Sequence, residues 1–540
     1  MSLMASTQGV RAPRWEAIIT IVALRDSSEA GPLARVSILF DGSPPPVRDD
    51  EPAYFADLNL DQLVRKITAG RESYDLLPFF YSCLSSEEAV AYRHEVFRDL
   101  RNDEISGLVR SFAEQMREMR RLLALRDRAR YPFEKAAWFL DAAQVYCDAV
   151  TALASGAEGL DLGSRALRRF REQLHGYVAS KSFVDLSSQA RAVREGLDGV
   201  HYGLVIKGAR VTVSRYEGEP DYSAQVLQTF EKFRRRAVKD YRARRPVSPE
   251  MDHVEGRVLD LVARLYPDEF HALDEFCRAH AVCIDQGITL FDREAQFYLA
   301  YLEFIDRLSQ RGLAFCFPRV ARRARAILAS DAFDVALADK LVGEGGAVVC
   351  NDLYLKPPER IVVVSGPNQG GKTTFARMVG QLHYLAAIGC PVPGRDAQLT
   401  LFDRLFSHFE KEEDLSTLRG KLEDDLLRIH DILSQATAES VVVMNESLTG
   451  TTLRDATVLG RSVLEQMIER GLLCVYVTFV DELASLSEAT VSMVSTVRPD
   501  DPAQRTFKIV RRSADGLAYA AAIAEKYGLS YTRLKERLTS

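Results

Sequence analysis

The stretch that most constrains this chain runs from Ile361 to Thr374. Four β-branched residues lead into a glycine-rich turn, which is followed by a lysine, two threonines and a segment of helical periodicity. The spacing GxxxxGKT fits the Walker A pattern, in which a phosphate-binding loop joins a buried strand to a helix N-terminus. Glycines let backbone N–H groups approach phosphates closely, and the helix N-terminus adds a positive partial charge. The sequence therefore predicts a nucleotide site.

Within this stretch we expect contacts to ATP and to Mg²⁺. The lysine, Lys372, is predicted to reach the outer phosphates, and the Thr373 hydroxyl is predicted to ligate Mg²⁺. The residues predicted to bind the nucleotide are Gly366, Pro367, Asn368, Gln369, Gly370, Gly371, Lys372, Thr373 and Thr374.

Composition and charge narrow the class of protein. The chain has 540 residues, of which 47% are hydrophobic and 27% charged, as in soluble globular proteins. Its net charge of −6 is small for this length, so any binding of nucleic acid must come from local basic patches. The 8 cysteines form no CxxC pair, and the apolar run from Ala17 to Leu24 is too short to span a membrane. We therefore expect a cytoplasmic protein without a membrane partner.

The periodicity of apolar residues along the sequence predicts an α-helical region followed by an α/β domain. The predicted parts are a poorly defined N-terminal extension at 1–50, a helical region at 51–345 and an α/β P-loop domain at 346–540. Apolar and polar residues alternate at 200–216, which predicts a β-hairpin. A strand-like run lies at 36–40, and the pattern at 319–328 is interpreted as a basic helix.

One window of the helical region, residues 232–245, is strongly basic. It holds eight basic residues and a single aspartate, with Phe233 and Tyr241 interleaved. Such a run is either a solvated helix face or an arm that contacts DNA phosphates, and the sequence leaves both readings open. The candidate DNA-binding residues are Lys232, Arg234, Arg235, Arg236, Lys239 and Arg242.

Two further buried strands are predicted in the last 200 residues, at 440–446 and 472–478. Apolar strands that alternate with helices indicate a mostly parallel sheet, whose carboxyl ends meet at one edge. The first of these strands ends in Asn445 and Glu446, where ATPases usually carry an aspartate and a glutamate. Glu446 is the candidate general base, and Asn445 is a metal ligand that brings no charge. Slow hydrolysis is expected.

At this point the motifs resemble those of the MutS-type mismatch-repair ATPases. The segment 366–374 (GPNQGGKTT) is similar to the family's GPNMGGKST loop, and 441–452 (VVVMNESLTGTT) to its LVLLDEIGRGTS. The segment 475–483 (VYVTFVDEL) is similar to the family's FATHYHEL, and the ending 516–538 resembles its helix-turn-helix dimerisation element. The resemblance implies an ABC-type ATPase domain behind a helical core and lever, with the hairpin as a reduced clamp.

The resemblance also implies a homodimer in which each nucleotide site is completed by the other subunit. The candidate residues of this trans site are Arg419, Gly420 and Lys421. This sequence departs from the family pattern at Asn445, at Phe479 in place of a histidine, and at Gly420 in place of a serine. The family's mismatch-reading domain does not fit into about 50 residues before the helical region, so direct mismatch reading is not expected.

The resulting hypothesis is a MutS-like, DNA-binding ATPase. It predicts an ATP-dependent clamp that acts on non-canonical or branched DNA in repair or recombination. An ATP-gated scaffold with little hydrolysis and a P-loop kinase or transferase remain as alternatives. The long helical region and Glu446 speak against the kinase, whereas Asn445 and Phe479 favour the scaffold.

Overall fold

The fold is described from a computed structural model. The structure describes residues 33, 36–42, 48–208, 210–218, 251–322, 324, 326–410, 420–498 and 504–514. The helices of these ranges are α1 (Tyr54–Asp57), α2 (Leu60–Ile67), α3 (Leu77–Tyr81), α4 (Glu87–Asp99), α5 (Asp103–Arg128), α6 (Pro132–Ala157), α7 (Arg165–Val178), α8 (Lys181–Asp198), α9 (His253–Leu265), α10 (Pro267–Ala279), α11 (Gln286–Ser309), α12 (Val335–Gly343), α13 (Lys372–Ala387), α14 (Lys421–Gln435) and α15 (Leu453–Arg470). None of them is long and apolar enough to cross a membrane.

The strands of the described ranges form four sheets. They are β1 (Tyr202–Lys207), β2 (Arg210–Arg215), β3 (Phe315–Cys316), β4 (Arg319–Ala321), β5 (Ile327–Ala332), β6 (Asn351–Leu355), β7 (Ile361–Ser365), β8 (Val392–Pro393), β9 (Asp396–Thr400), β10 (Leu405–Phe409), β11 (Val441–Asn445), β12 (Leu473–Val477), β13 (Thr490–Val497) and β14 (Arg505–Arg511). The largest sheet has the order β10-β11-β12-β7-β13-β14, and a second has the order β4-β9-β5-β6.

The helical region is built around the long helices α5 and α6, which pack on each other. The helix α5 starts where the Asn102 side chain accepts the Glu104 N–H, and α6 starts at Pro132, whose fixed φ suits the first turn of a helix. The helix α11 crosses this region with most of its residues buried, and its Phe297 packs on Phe80 and Phe97. The strands β1 and β2 pair antiparallel at the place where the alternation indicated a hairpin, and Ile206 there is 70% exposed.

The largest sheet is parallel except at its last strand. The strands β10, β11, β12, β7 and β13 run in one direction, and β14 pairs antiparallel with β13. The three middle strands are fully buried, which explains why their sequences are continuous apolar runs rather than alternating ones. Their carboxyl ends form one edge, on which the glycine-rich loop also lies.

The helix α13 joins the sheet to the helical region. The Tyr384 hydroxyl donates to the Phe80 carbonyl at 2.8 Å, and the Gln381 amide donates to the Leu58 carbonyl at 3.0 Å. At the end of this helix the Leu84 N–H donates to the Ala387 carbonyl at 2.8 Å. The loop at the start of α13 is thus fixed to both parts of the protein.

Two local predictions were wrong. Residues 319–328, interpreted as a basic helix, contain β4 and the start of β5, because β4 pairs with β9 and β5 pairs with β6 and β9. Tertiary pairing there overrides the helical pattern of arginine and alanine. Residues 36 and 38–40 are buried but form no strand, since the Ile38 N–H and the carbonyls of residues 37–39 bond to side chains of the helical region instead.

Those residues are held by a buried polar cluster around Glu294. The Glu294 carboxylate accepts hydrogen bonds from the Ser37 hydroxyl and the Ile38 N–H, both at 2.6 Å. The Tyr298 hydroxyl donates to the Ile38 carbonyl at 2.6 Å, and Arg93 Nε donates to the Leu39 carbonyl at 3.2 Å. Burial raises the pKa of Glu294 to about 7, although the Ser37 and Ile38 donors and the charge of Arg93 act to lower it.

This pKa predicts how stability varies with pH. Since the folded pKa lies above the unfolded one, folding takes up a proton, and stability falls as pH rises from the unfolded pKa through 7. The shift from 4.5 to about 7 corresponds to about 3 kcal/mol. We expect Glu294→Gln to remove this part of the pH dependence. As the pH rises from 5 to 8, the thermal unfolding midpoint of the parent should therefore fall relative to that of the variant. The exposed Glu172→Gln serves as control, and parallel curves for Glu294→Gln and parent would contradict the assignment.

Candidate functional site

The glycine-rich loop 366–371 connects the buried strand β7 to α13. Gly366 and Gly371 have φ values of +114° and +89°, a region that glycine enters without strain. Gly371 is also the N-cap residue of α13. A Cβ on Gly370 would lie 2.2 Å from Ser495 Oγ and 2.9 Å from the Pro367 carbonyl oxygen. The backbone path therefore requires glycine at the positions that the motif provides.

The neighbouring strands hold the loop from the side. The Ser495 hydroxyl on β13 donates to the Gly370 carbonyl at 2.6 Å, and Arg505 Nε on β14 donates to the Asn368 carbonyl at 3.2 Å. These two residues are not predicted from the sequence. No local motif marks them, because their position depends on the pairing of β13 with β7 and of β14 with β13.

The Lys372 side chain folds back over the loop and is 4% exposed. Its Nζ donates to the carbonyls of Gly366 and Pro367 at 3.0 and 3.2 Å and to Asn368 Oδ1 at 3.3 Å. The same nitrogen lies 4.8 Å from the centre of the Phe479 ring. Burial lowers the pKa of Lys372, and the charge of Glu446 opposes this effect. The ammonium is thus a partly desolvated positive charge at the loop.

The first turn of α13 contacts the end of β11. The Thr373 hydroxyl donates to the Asn445 side-chain oxygen at 2.8 Å. Asn445 is the last residue of the fully buried strand β11 and is 8% exposed. The structure therefore brings together the two residues that the sequence analysis assigned to the metal.

Glu446 follows at the same edge in an unusual backbone conformation. Its φ is +53°, which is uncommon for a residue other than glycine, and its N–H donates to the Val477 carbonyl at 3.0 Å. Such conformations cost free energy and persist only where the surroundings impose them. The bond to β12 is one such constraint, and it keeps Glu446 beside the loop.

A cavity of about 440 Å³ opens between the loop and α12. Its polar wall is formed by residues 369–374 together with Glu446, and its apolar wall includes Leu337, Leu341 and Phe507. Phe507, which is 48% exposed, has a φ of +60° and lies 3.7 Å from a Cβ built on Gly371. The apolar wall was not predicted, since it combines α12, which precedes the motif, with Phe507, which lies more than 100 residues after it.

The remaining predicted residues lie further away or outside the described ranges. Gly420 precedes α14, and Lys421, the first residue of that helix, forms an ion pair with Glu410. Arg419, the basic window 232–245 with its six DNA-binding candidates, and the ending 516–538 lie outside the described residues.

Comparison with known proteins supports a relationship over this part of the chain. The family model MutS domain V matches residues 362–535. The protein named Endonuclease MutS2 of Gemmatimonas aurantiaca is 32% identical over 206 residues, which are 37% of this chain and 25% of that protein. The DNA mismatch repair protein MutS of Thermotoga neapolitana is 30% identical over 185 residues, which are 34% of this chain and 23% of that protein.

Fold and site define the class: an α/β domain with a mostly parallel sheet, and a glycine-rich loop between a buried strand and a helix. The resemblance to the MutS-type mismatch-repair ATPase family is confirmed, and it rests on the C-terminal part of the chain. The matches span a quarter or less of the length of these two relatives.

Proposed function

We propose that this chain is a MutS-like, DNA-binding ATPase that binds ATP with Mg²⁺ at the loop 366–374. The observation that carries the proposal is the 2.8 Å contact between Thr373 and Asn445, with Glu446 next to it at the edge of the same cavity. It joins a phosphate-loop geometry to the strand end at which ATPases place their metal ligand and general base.

The residues present fit such a ligand. The missing Cβ at Gly370 leaves a backbone path that a larger residue would block, and the start of α13 offers N–H groups to an anion. The hydroxyl of Thr373 and the amide oxygen of Asn445 are oxygen donors of the kind that Mg²⁺ takes. The cavity of about 440 Å³ is of the size that small ligands occupy, and its wall with Phe507 suits an adenine ring.

The chemistry then follows from four side chains. Lys372 exchanges its three oxygen acceptors in the loop for phosphate oxygens. When bound, Mg²⁺ supplies positive charge to the phosphates, and Thr373 and Asn445 hold it. Glu446 accepts the proton of the attacking water as general base. Asn445 is neutral where an aspartate is usual, so the ligands of the metal carry one negative charge less. We therefore expect slow turnover.

One observation favours the scaffold alternative, in which ATP is bound but hardly hydrolysed. The nitrogen of Lys372 lies 4.8 Å from the centre of the Phe479 ring, at the end of β12. A phenyl ring stabilises the ammonium by a cation–π contact but offers no hydrogen bond to a phosphate or a water. The rate of hydrolysis distinguishes the two functions.

We expect Lys372→Ala to abolish ATP–Mg²⁺ binding in a calorimetric titration, because it removes the buried positive charge of the loop. Lys340→Ala on α12 is the matched control, since this lysine is exposed and close in sequence to the cavity wall. Unchanged ATP affinity in a folded Lys372→Ala protein would show that the nucleotide does not bind at this loop.

Glu446→Gln separates binding from turnover, because the amide cannot accept the proton of the attacking water. This variant should bind ATP as the parent does and lose hydrolysis.

For the whole protein we propose a homodimer that binds non-canonical or branched DNA without reading mismatches. The support is the kinship with proteins named for mismatch repair, together with the basic window 232–245 beyond the β1–β2 hairpin. Phosphate contacts from such a window carry little sequence information and weaken with salt. We also propose that each nucleotide site is completed by the other subunit, through Arg419, Gly420 and Lys421.

The DNA and dimer parts are tested together. Replacement of Arg234, Arg235 and Arg236 by Glu should weaken binding to duplex, mismatched, branched and single-stranded DNA by a similar factor and flatten the salt dependence in gel shifts. Light scattering should give the mass of a dimer for parent and variant alike. Equal DNA binding by the variant, a strong preference for a mismatch, or a monomer mass with ATP would each contradict the corresponding part.

A further inference from the structure

A second polar cluster begins at the residue that follows Glu446, and it consists of Ser447, His408 and Asp425. Ser447 Oγ lies 2.9 Å from His408 Nδ1, and His408 Nε2 lies 3.3 Å from Asp425 Oδ1. The three residues come from three elements: the loop after β11, the strand β10 and the helix α14. All are buried, with exposures of 7%, 0% and 5%.

The contacts link the three side chains in a row. The Ser447 hydroxyl faces His408 Nδ1, and the Asp425 carboxylate faces His408 Nε2, so the imidazole lies between a hydroxyl and a carboxylate. Burial acts to raise the pKa of Asp425, but the neighbouring His408 imidazole and the Leu448 N–H hold this pKa below its ordinary value. The cluster is therefore an ordered chain from a hydroxyl to a carboxylate.

The order of residues resembles the triad of serine hydrolases, but burial excludes that role. The His408 ring has no exposed surface, and Ser447 does not line the cavity beside the loop. A nucleophile must reach its substrate, and this hydroxyl has no access to one. The cluster instead contacts the backbone of the segment after β11, where Asp425 accepts the Leu448 N–H.

The segment 446–450 needs such support, because two of its residues have left-handed backbone angles. Glu446 has a φ of +53° and Leu448 a φ of +64°. Asp425 Oδ2 accepts the Leu448 N–H at 3.4 Å, so the carboxylate of the cluster binds the segment a second time. A parallel link exists at Glu410, which pairs with Lys421 and accepts the Thr449 hydroxyl at 3.1 Å.

We propose that Ser447, His408 and Asp425 are positioning residues, which hold the segment 446–450 and thereby the Glu446 carboxylate. The effect on hydrolysis rests on the proposed function, whereas the effect on the backbone does not. Because Asp425 lies on α14, one turn after Lys421, a displacement of the start of that helix reaches Glu446 through the same contacts. A general base that is displaced by about 1 Å loses roughly 100-fold in rate.

The test uses two small changes and their combination in the full chain. Ser447→Ala removes the hydroxyl, and His408→Gln removes the ring nitrogen that this hydroxyl contacts. Both should speed hydrogen exchange at the Leu448 amide about ten-fold and lower kcat by about 10- to 100-fold, with the ATP affinity and KM unchanged. Since both remove the same bond, the double variant should be no worse than either single one.

His430→Gln is the matched control, because it makes the same substitution on an exposed position of α14. If the Leu448 amide exchanges hydrogen at the parent rate in both folded single variants, the proposal is wrong. It is also wrong if the losses in kcat of the two single variants add up fully in the double variant. If the parent binds no ATP, the proposed function fails, and hydrogen exchange alone then decides whether the cluster holds the segment.

Discussion

The parallel pairing of β11, β12 and β7 is the constraint on which the site depends. It places Asn445, Val477 and Ser365 at one edge, so that the residues following each strand meet there. The hydrogen bond from Thr373 to Asn445 and the bond from the Glu446 N–H to Val477 both cross between elements that this pairing brings together. A shift of one residue in either register would separate the loop from the strand end.

Much of this arrangement could be predicted from the sequence. Continuous apolar runs identify β7, β11 and β12, because a strand buried on both faces has no polar side. The glycines of the loop and the polar pair 445–446 then follow from their positions after those strands. The contact between Thr373 and Asn445 agrees with the prediction that the loop after β7 and the end of β11 meet at one edge of the sheet.

Other parts depend on long-range pairing that leaves no local pattern. Ser495 and Arg505 brace the loop only because β13 lies beside β7 and β14 returns antiparallel. The apolar wall of the cavity combines α12 with Phe507, which are far apart in the chain. The same limit explains the error at 319–328, where pairing with β9 outweighs helical periodicity. Domain boundaries remain a prediction.

The electrostatics of the site distinguish this chain from the usual arrangement. Lys372 is buried among carbonyls and a phenyl ring, and the residue at the end of β11 is an amide rather than a carboxylate. An amide keeps the oxygen that a metal needs but removes the charge that holds it tightly. We infer that nucleotide binding and fast turnover are separable here.

The central claim is that a neutral Asn445 sits at the magnesium position of an ATP site. The measurement that tests it most directly is a magnesium titration of ATP binding and hydrolysis with the parent and with Asn445→Asp. The account predicts that the aspartate lowers the magnesium concentration at half-saturation and raises the rate of hydrolysis. An identical magnesium dependence and rate in the folded variant would contradict it.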